Sequence, residues 1–185
     1  MQTNIKDREY KTRITSYMET SDNGSQFSLK TKWNVWVHNS KSTDWSLTGY
    51  HRILTIETIK DMWEFLNNFN NMNYLEYQFF VMRNDITPIW EDPFNINGGA
   101  ASFRLRATDK NLIPFWVDSC VHTLNENICS CPENINGISF NLKDDLVVIK
   151  VWNNNENDIS QLMANSLIQK YDIRAIVYIK NRPNK

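Results

Sequence analysis

Lys30-Thr31-Lys32-Trp33-Asn34-Val35-Trp36-Val37-His38 is the stretch on which the fold turns. Trp33, Val35 and Val37 alternate with Lys32 and Asn34, the period of two expected of a half-buried strand, in which successive side chains point to opposite faces. Trp36 falls on the other face, so one tryptophan looks out from each side of the strand. Before it, residues 1–26 are polar and carry no sustained periodicity, which predicts a flexible arm ahead of a domain spanning 27–185. After it, Asn39 to Asp44 is a loop of small polar residues ending at Trp45, and a second strand is expected around Tyr50 to Ile56.

Thr58-x-x-Asp61 has the form of a capping box with Asp in place of Glu, and it opens a helical pattern. At about 100° per residue Met62, Phe65, Leu66 and Phe69 make one inward stripe, and Ile59 and Trp63 lie on its edge. A second helix is expected from about Asn111 to Asn127, where Trp116, Cys120 and Leu124 recur every four residues and Val117 and Val121 form a neighbouring edge; a third is expected from about Asp158 to Tyr171. Strand-like runs cover Tyr74–Met82, Ala101–Arg106, Ile135–Leu142, Leu146–Trp152 and Arg174–Lys180. Asp85 to Gly99, with two prolines and Gly98-Gly99, predicts a long functional loop. Many strands joined by short turns, with only three helices, give an α+β fold: a mainly antiparallel sheet covered on one face and open on the other.

The 185 residues suit one domain, and a net charge of −1 argues against a non-specific polyanion binder, so any nucleic-acid contact should be local. No stretch approaches a membrane span and no secretory signal opens the chain, so a soluble cytoplasmic protein that does not engage membranes is expected. Cys120, Cys129 and Cys131 lack zinc-knuckle spacing and are expected as reduced thiols; His38, His51 and His122 lack ligand or triad spacing, and no cofactor or metal is expected. The abundance of asparagine is taken as a mark of base composition. Seven tryptophans are more than a domain of this size usually buries, which points to some at work on a surface.

The sharpest local signal is Pro88-Ile89-Trp90-Glu91-Asp92, an aromatic plate beside a carboxylate in a loop. With Trp45 as a second plate, a flat heterocycle could be clamped, and a cationic ring would gain about 0.5 to 2 kcal/mol from each indole face. An ionised Glu91 offers two acceptor oxygens that match the paired N1–H and N2–H donors of guanine, a pair adenine lacks.

These residues together resemble the cap-binding translation initiation factor 4E family, through most of the chain from Phe27 to Lys180. Lys32-Trp33-Asn34-Val35-Trp36 is similar to its opening strand, Thr58-Ile59-Lys60-Asp61-Met62-Trp63 to its first-helix motif, and Ile89-Trp90-Glu91-Asp92 followed by Asn97-Gly98-Gly99 to its most specific stretch. Asn136-Gly137-Ile138-Ser139 and Val148-Ile149-Lys150-Val151-Trp152 resemble later strands. Trp45, Trp63, Trp90, Trp116 and Trp152 fall at similar spacings.

The resemblance implies a curved sheet with three helices on its convex face and a ligand slot on its concave face. In that slot Trp45 and Trp90 would sandwich 7-methylguanine, Glu91 would read its edge, Trp152 would contact the N7-methyl group and the Trp90 amide would meet the base oxygen. On the phosphate side Lys143 stands where the family has arginine, but its following lysine is here Val148, with Asp144-Asp145 nearby; Lys150, on the same strand face as Val148, and Arg104 are substitutes, with Arg106, Lys180 and Arg182 as further candidates. Weaker dependence on phosphate number and salt is therefore expected.

Phe27, Leu29, Ile59, Trp63, Val117, Asp118 and Val121 would receive a helical segment of a scaffold factor 4G-like protein or of a repressor, Phe27-Ser28-Leu29 replacing the family's His-Pro-Leu. The implied function is non-catalytic binding of capped messenger RNA in translation initiation, by a chain monomeric apart from its partner. A cap-binding repressor, a hydrolase using Glu91 and Asp92 as an acid–base pair, and an adaptor with an empty slot remain as alternatives.

Overall fold

A computed structural model describes residues 27–155, 165–173 and 175–181; the expected arm at 1–26, the start of the third helix and Arg182 lie outside these residues. Seven strands form one sheet: β1 Ser28–Asn39, β2 Tyr50–Thr58, β3 Tyr77–Arg83, β4 Gly99–Arg106, β5 Ile135–Lys143, β6 Leu146–Asn153 and β7 Ile176–Lys180. They pair in the order β2-β1-β3-β5-β6-β4-β7, every pair antiparallel. The described helices are α1 Ile59–Asn68, α2 Leu112–Leu124 and α3 Asn165–Lys170. The sheet is curved and unclosed, with the helices packed on one side.

Strand alternation sorts the side chains into two clusters. Trp33, Val35 and Val37 of β1 join Phe79 and Val81 of β3, Ile138 and Phe140 of β5, and Val147, Ile149 and Val151 of β6 in the main core beneath the helices. The alternate residues Phe80, Met82, Ala100 and Trp152, with Tyr50 and Ile86, form a smaller cluster on the open face, against which Trp36 packs. The single out-of-phase tryptophan of β1 thus marks the face that carries the site.

The capping box is present in both directions: Thr58 Oγ1 accepts from the Asp61 amide at 3.1 Å, and Asp61 Oδ2 accepts from the Thr58 amide at 2.9 Å. Met62, Phe65 and Leu66 are buried as the stripe requires, and Phe69, in the 3₁₀ turn that follows, is buried with them. Two expected boundaries shift for physical reasons. Tyr74 to Glu76 turn instead of extending, because the Asn73 carbonyl accepts from the Glu76 and Tyr77 amides, and the Tyr74 ring then lies parallel to Phe69 with centroids 5.8 Å apart. The second helix stops at Leu124 because Glu126 adopts a positive φ of 57° and its carboxylate accepts from Arg83 and Thr31.

Three register shifts interrupt the ladders, two in the β1–β2 pair, between Ser28 and Trp33 and between Val35 and Trp36, and one in the β5–β6 pair between Ile135 and Gly137. The last leaves Asn136 as the bulged residue.

Candidate functional site

The open face is ordered by register. One rung runs Trp36, Phe80, Ser139, Lys150, Ser102 across β1, β3, β5, β6 and β4. The next toward the β6 C-terminus runs Met82, Gly137, Trp152, Ala100, and the rung on the other side contains Asn141, Val148 and Arg104. Small residues flank Trp152 on both neighbouring strands. At Gly137 a Cβ would stand 2.5 Å from the Met82 sulfur and 2.6 Å from the Val81 carbonyl oxygen, so only glycine lets β3 and β5 close here. The Trp152 indole N–H donates to Ser139 Oγ at 3.1 Å, which fixes the ring's orientation in the floor.

Two loops rise over this floor. Trp45 stands midway along the β1–β2 loop, 54% exposed, and Trp90 stands in the β3–β4 loop, 43% exposed. Neither is sealed in the core. Both line one cleft of about 1250 Å³, together with Glu91, Trp152, Tyr50, Phe80 and the cations Lys143, Lys150 and Arg104. That volume exceeds the ~300–1,000 Å³ of typical small-molecule pockets, leaving room for a base and a charged chain attached to it. The structure therefore brings every residue expected at the base and phosphate positions into a single cavity. Of the further cations, Lys180 also lines it and Arg106 does not.

The Trp90 loop is held by buried asparagines that sequence reasoning missed. Asn95, fully buried, donates to the carbonyls of Thr87 at 2.9 Å and Ile89 at 2.8 Å. Bulged Asn136 donates to Phe94 O at 2.7 Å and Asn95 Oδ1 at 2.8 Å, which ties the loop to β5. Asn153 Oδ1 accepts from the Gly99 amide and the Tyr178 hydroxyl. At Gly98 a Cβ would lie 1.8 Å from the Asn153 carbonyl oxygen, so the loop can re-enter the sheet only at glycine. Asp92 accepts from the Thr87 amide, the Thr87 hydroxyl and the Phe94 amide at 2.6 to 2.9 Å. Its carboxylate is committed to shaping the loop, whereas Glu91 beside it is exposed.

Electrostatics in the cleft are uneven. Burial pushes the Tyr50 hydroxyl up to about 12, with the Glu91 and Asp44 carboxylates adding to the shift. Burial also holds the Lys150 ammonium below the usual lysine range, and the Arg104 charge lowers it further. Ser102, 2% exposed, has a buried hydroxyl with no partner opposite Lys150, and Asn141 Oδ1 is likewise buried and unpartnered. Lys143 is exposed beside Asp144, so the half-buried Lys150 is the cation best shielded from solvent.

On the helical side Trp63 is 41% exposed, Ile59 of α1 and Val117 and Val121 of α2 are half-buried and pack against the main core, and Phe27 is exposed where its carbonyl accepts from the Ile59 amide. Leu29 packs against the main core. Asp118 accepts from Lys170 Nζ and the Tyr171 hydroxyl, each at 2.6 Å, so it is already engaged within the chain. No helix among the described residues is long and apolar enough to cross a membrane, and no group of three or more His, Cys, Asp or Glu among them could hold a metal ion. Cys120, Cys129 and Cys131 are unbridged.

Comparison with known proteins gives a consistent result. The family model described as eukaryotic initiation factor 4E matches residues 28–181. The eukaryotic translation initiation factor 4E of Saccharomyces cerevisiae is 27% identical over 134 residues, 70% of this chain and 62% of that protein; the Candida glabrata factor is 28% identical over 120 residues, 62% of this chain and 57% of that protein. The chain thus spans about three fifths of the length of these curated relatives. Among solved structures, Ascaris suum eIF4E-3 with an m2,2,7G cap superposes with a TM-score of 0.73 at 19% identity, covering 86% of this chain and 94% of that one. A schistosome eIF4E complexed with m7GpppG and 4E-BP superposes at 0.68, also at 19% identity, covering 84% and 88%.

Proposed function

Because the chain belongs to the eukaryotic initiation factor 4E family, we propose that its cleft binds the 7-methylguanosine cap of messenger RNA and that its helical face docks a scaffold or repressor segment. The observation that carries this reading is the exposure of Trp45 and Trp90 over one cleft whose lining also holds Glu91 and Trp152. The two indoles would sandwich the methylated base, Trp152 would meet the N7-methyl group and Glu91 would take the guanine N1–H and N2–H. Cation–π attraction to both faces favours the methylated, positively charged ring over plain guanine. Lys143, Lys150 and Arg104 would meet the phosphates. The protein acts as a binding module: Asp92, which an acid–base mechanism would pair with Glu91, already has three donors on its carboxylate.

Tryptophan fluorescence during titration with 7-methyl-GTP, then with GTP, tests the reading. Strong quenching by the first alone is expected, with the ligand recovered intact; equal quenching by both removes the sandwich. In the same titration the affinity should fall only weakly with added salt, since Lys143 and Arg104 are exposed to screening and Asp144 and Asp145 lie beside Lys143; a steep salt dependence would contradict the sparse cation set.

For the partner face, Trp63 is the anchor, an exposed indole flanked by the aliphatic edges of two helices. Trp63→Ala should weaken binding of a 4G-type helical peptide at least about tenfold while leaving 7-methyl-GTP affinity unchanged. Retention of full peptide affinity, read by calorimetry, would remove this surface from the account.

A further inference from the structure

Trp45 is as exposed as a mobile surface tryptophan, yet its inner face is covered. His38, fully buried at the end of β1, lies parallel to it, with ring centroids 4.3 Å apart and planes inclined by 14°. The His38 Nε2 atom is 2.8 Å from the Asp44 carbonyl oxygen, the acceptor of the peptide group that leads into Trp45. The imidazole therefore grips both the ring and the backbone that carries it. Tyr50 closes its other side at 4.7 Å, tilted by 46°, and itself meets Phe80 of the cleft floor edge-on at 5.4 Å.

The loop is shaped to keep this contact. Asp44 accepts from the Ser46 amide, the Ser46 hydroxyl and the Thr48 hydroxyl, bonds that hold its carboxyl below the usual range. At Gly49 a Cβ would stand 2.0 Å from the Asp44 carbonyl oxygen and 3.3 Å from His38 Nε2, so glycine is what lets the loop fold back over the imidazole.

We propose that His38 is a positioning residue: a fixed back-plate that holds the Trp45 indole face-on to the cleft before any ligand arrives. A bound base then completes a stack of four rings, His38, Trp45, base and Trp90. The consequence for binding rests on the cap reading above, whereas the ordering of Trp45 does not. A plate already held in place spares the ligand the cost of immobilising it, an effect of about threefold to tenfold in affinity. A phenyl ring at position 38 can keep the stack; an isobutyl group of similar bulk cannot.

The test uses the full chain labelled with ¹⁵N at its indoles, the Trp45 signal being identified by its loss in Trp45→Phe. Without ligand, the Trp45 indole should show an order parameter near the ~0.85 of rigid backbone in the parent protein and in His38→Phe, and below about 0.6 in His38→Leu. A mobile Trp45 in the parent protein, or a rigid one in a folded His38→Leu, overturns the proposal. With 7-methyl-GTP, His38→Leu should bind about threefold to tenfold more weakly and His38→Phe within about twofold of the parent. Equal affinity in His38→Leu and the parent also overturns it. Failure of the parent protein to bind 7-methyl-GTP would instead strike the cap reading and leave the relaxation result to decide the role of His38.

Discussion

Glu91→Ala should reduce the affinity for 7-methyl-GTP by about two orders of magnitude or more and abolish the preference for guanine over adenine. The carboxylate stands beside Trp90 in the cleft lining, and its charge reaches the floor, where it helps to raise the Tyr50 hydroxyl. In the proposed complex, two charge-assisted hydrogen bonds to the base edge would contribute about 1.5 to 3 kcal/mol each, and alanine removes both acceptors. Glu91→Gln is the sharper comparison, since it keeps the shape but turns one acceptor into a donor facing a donor of guanine. Calorimetry with 7-methyl-GTP and an adenine nucleotide decides the matter: discrimination left intact in Glu91→Ala would mean that the base edge is read elsewhere.

Phe69→Ala should destabilise the domain by about 3 to 5 kcal/mol, near the upper end of that span. Phe69 is fully buried and meets Phe79, Trp116 and Phe140, each at 5.2 Å, with Tyr74 stacked on it and Phe65 at 6.0 Å. It is the point where α1, α2, β3 and β5 converge, so the cavity left behind has no flexible neighbour to fill it. For a domain of this size the melting temperature should fall by about 10 °C or more in calorimetry. A fall of only about 2 °C would show that the aromatic cluster repacks and that the sheet and helices are joined elsewhere.

The sheet was legible because its determinants are local and periodic. Alternation in β1 separated Trp33 from Trp36 and so separated core from cleft, and Thr58 with Asp61 marked the start of α1. The same alternation put Lys150 on the face of Val148 and Trp152, and all three are in the lining of the cleft. What escaped the sequence depends on contacts that no spacing announces. His38 offers no metal or triad pattern; it matters because a loop of six residues brings Trp45 back over its ring. Asn95, Asn136 and Asn153 were hidden by an asparagine-rich composition, and only their burial and partners distinguish them from the rest. Asp118 was expected at the partner face from the family resemblance alone, and Lys170 and Tyr171, more than fifty residues away, occupy its carboxylate.

The asparagine ties beneath Trp90 make the two walls of the cleft mechanically unequal. To swing that wall outward, the chain must break buried and part-buried bonds from Asn95 and Asn136 that tie the loop to itself and to β5. The opposite wall is fastened by exposed turn bonds around Asp44 and by His38, through its stack on the Trp45 ring and its contact with the Asp44 carbonyl. Its indole is held on the fast timescale of side-chain motion, while the loop as a whole can open at lower cost than the Trp90 wall on the slower timescale of ligand exchange. A flat ligand bound as proposed would therefore enter and leave past the Trp45 loop, and the Trp90 wall would set the angle at which it is received.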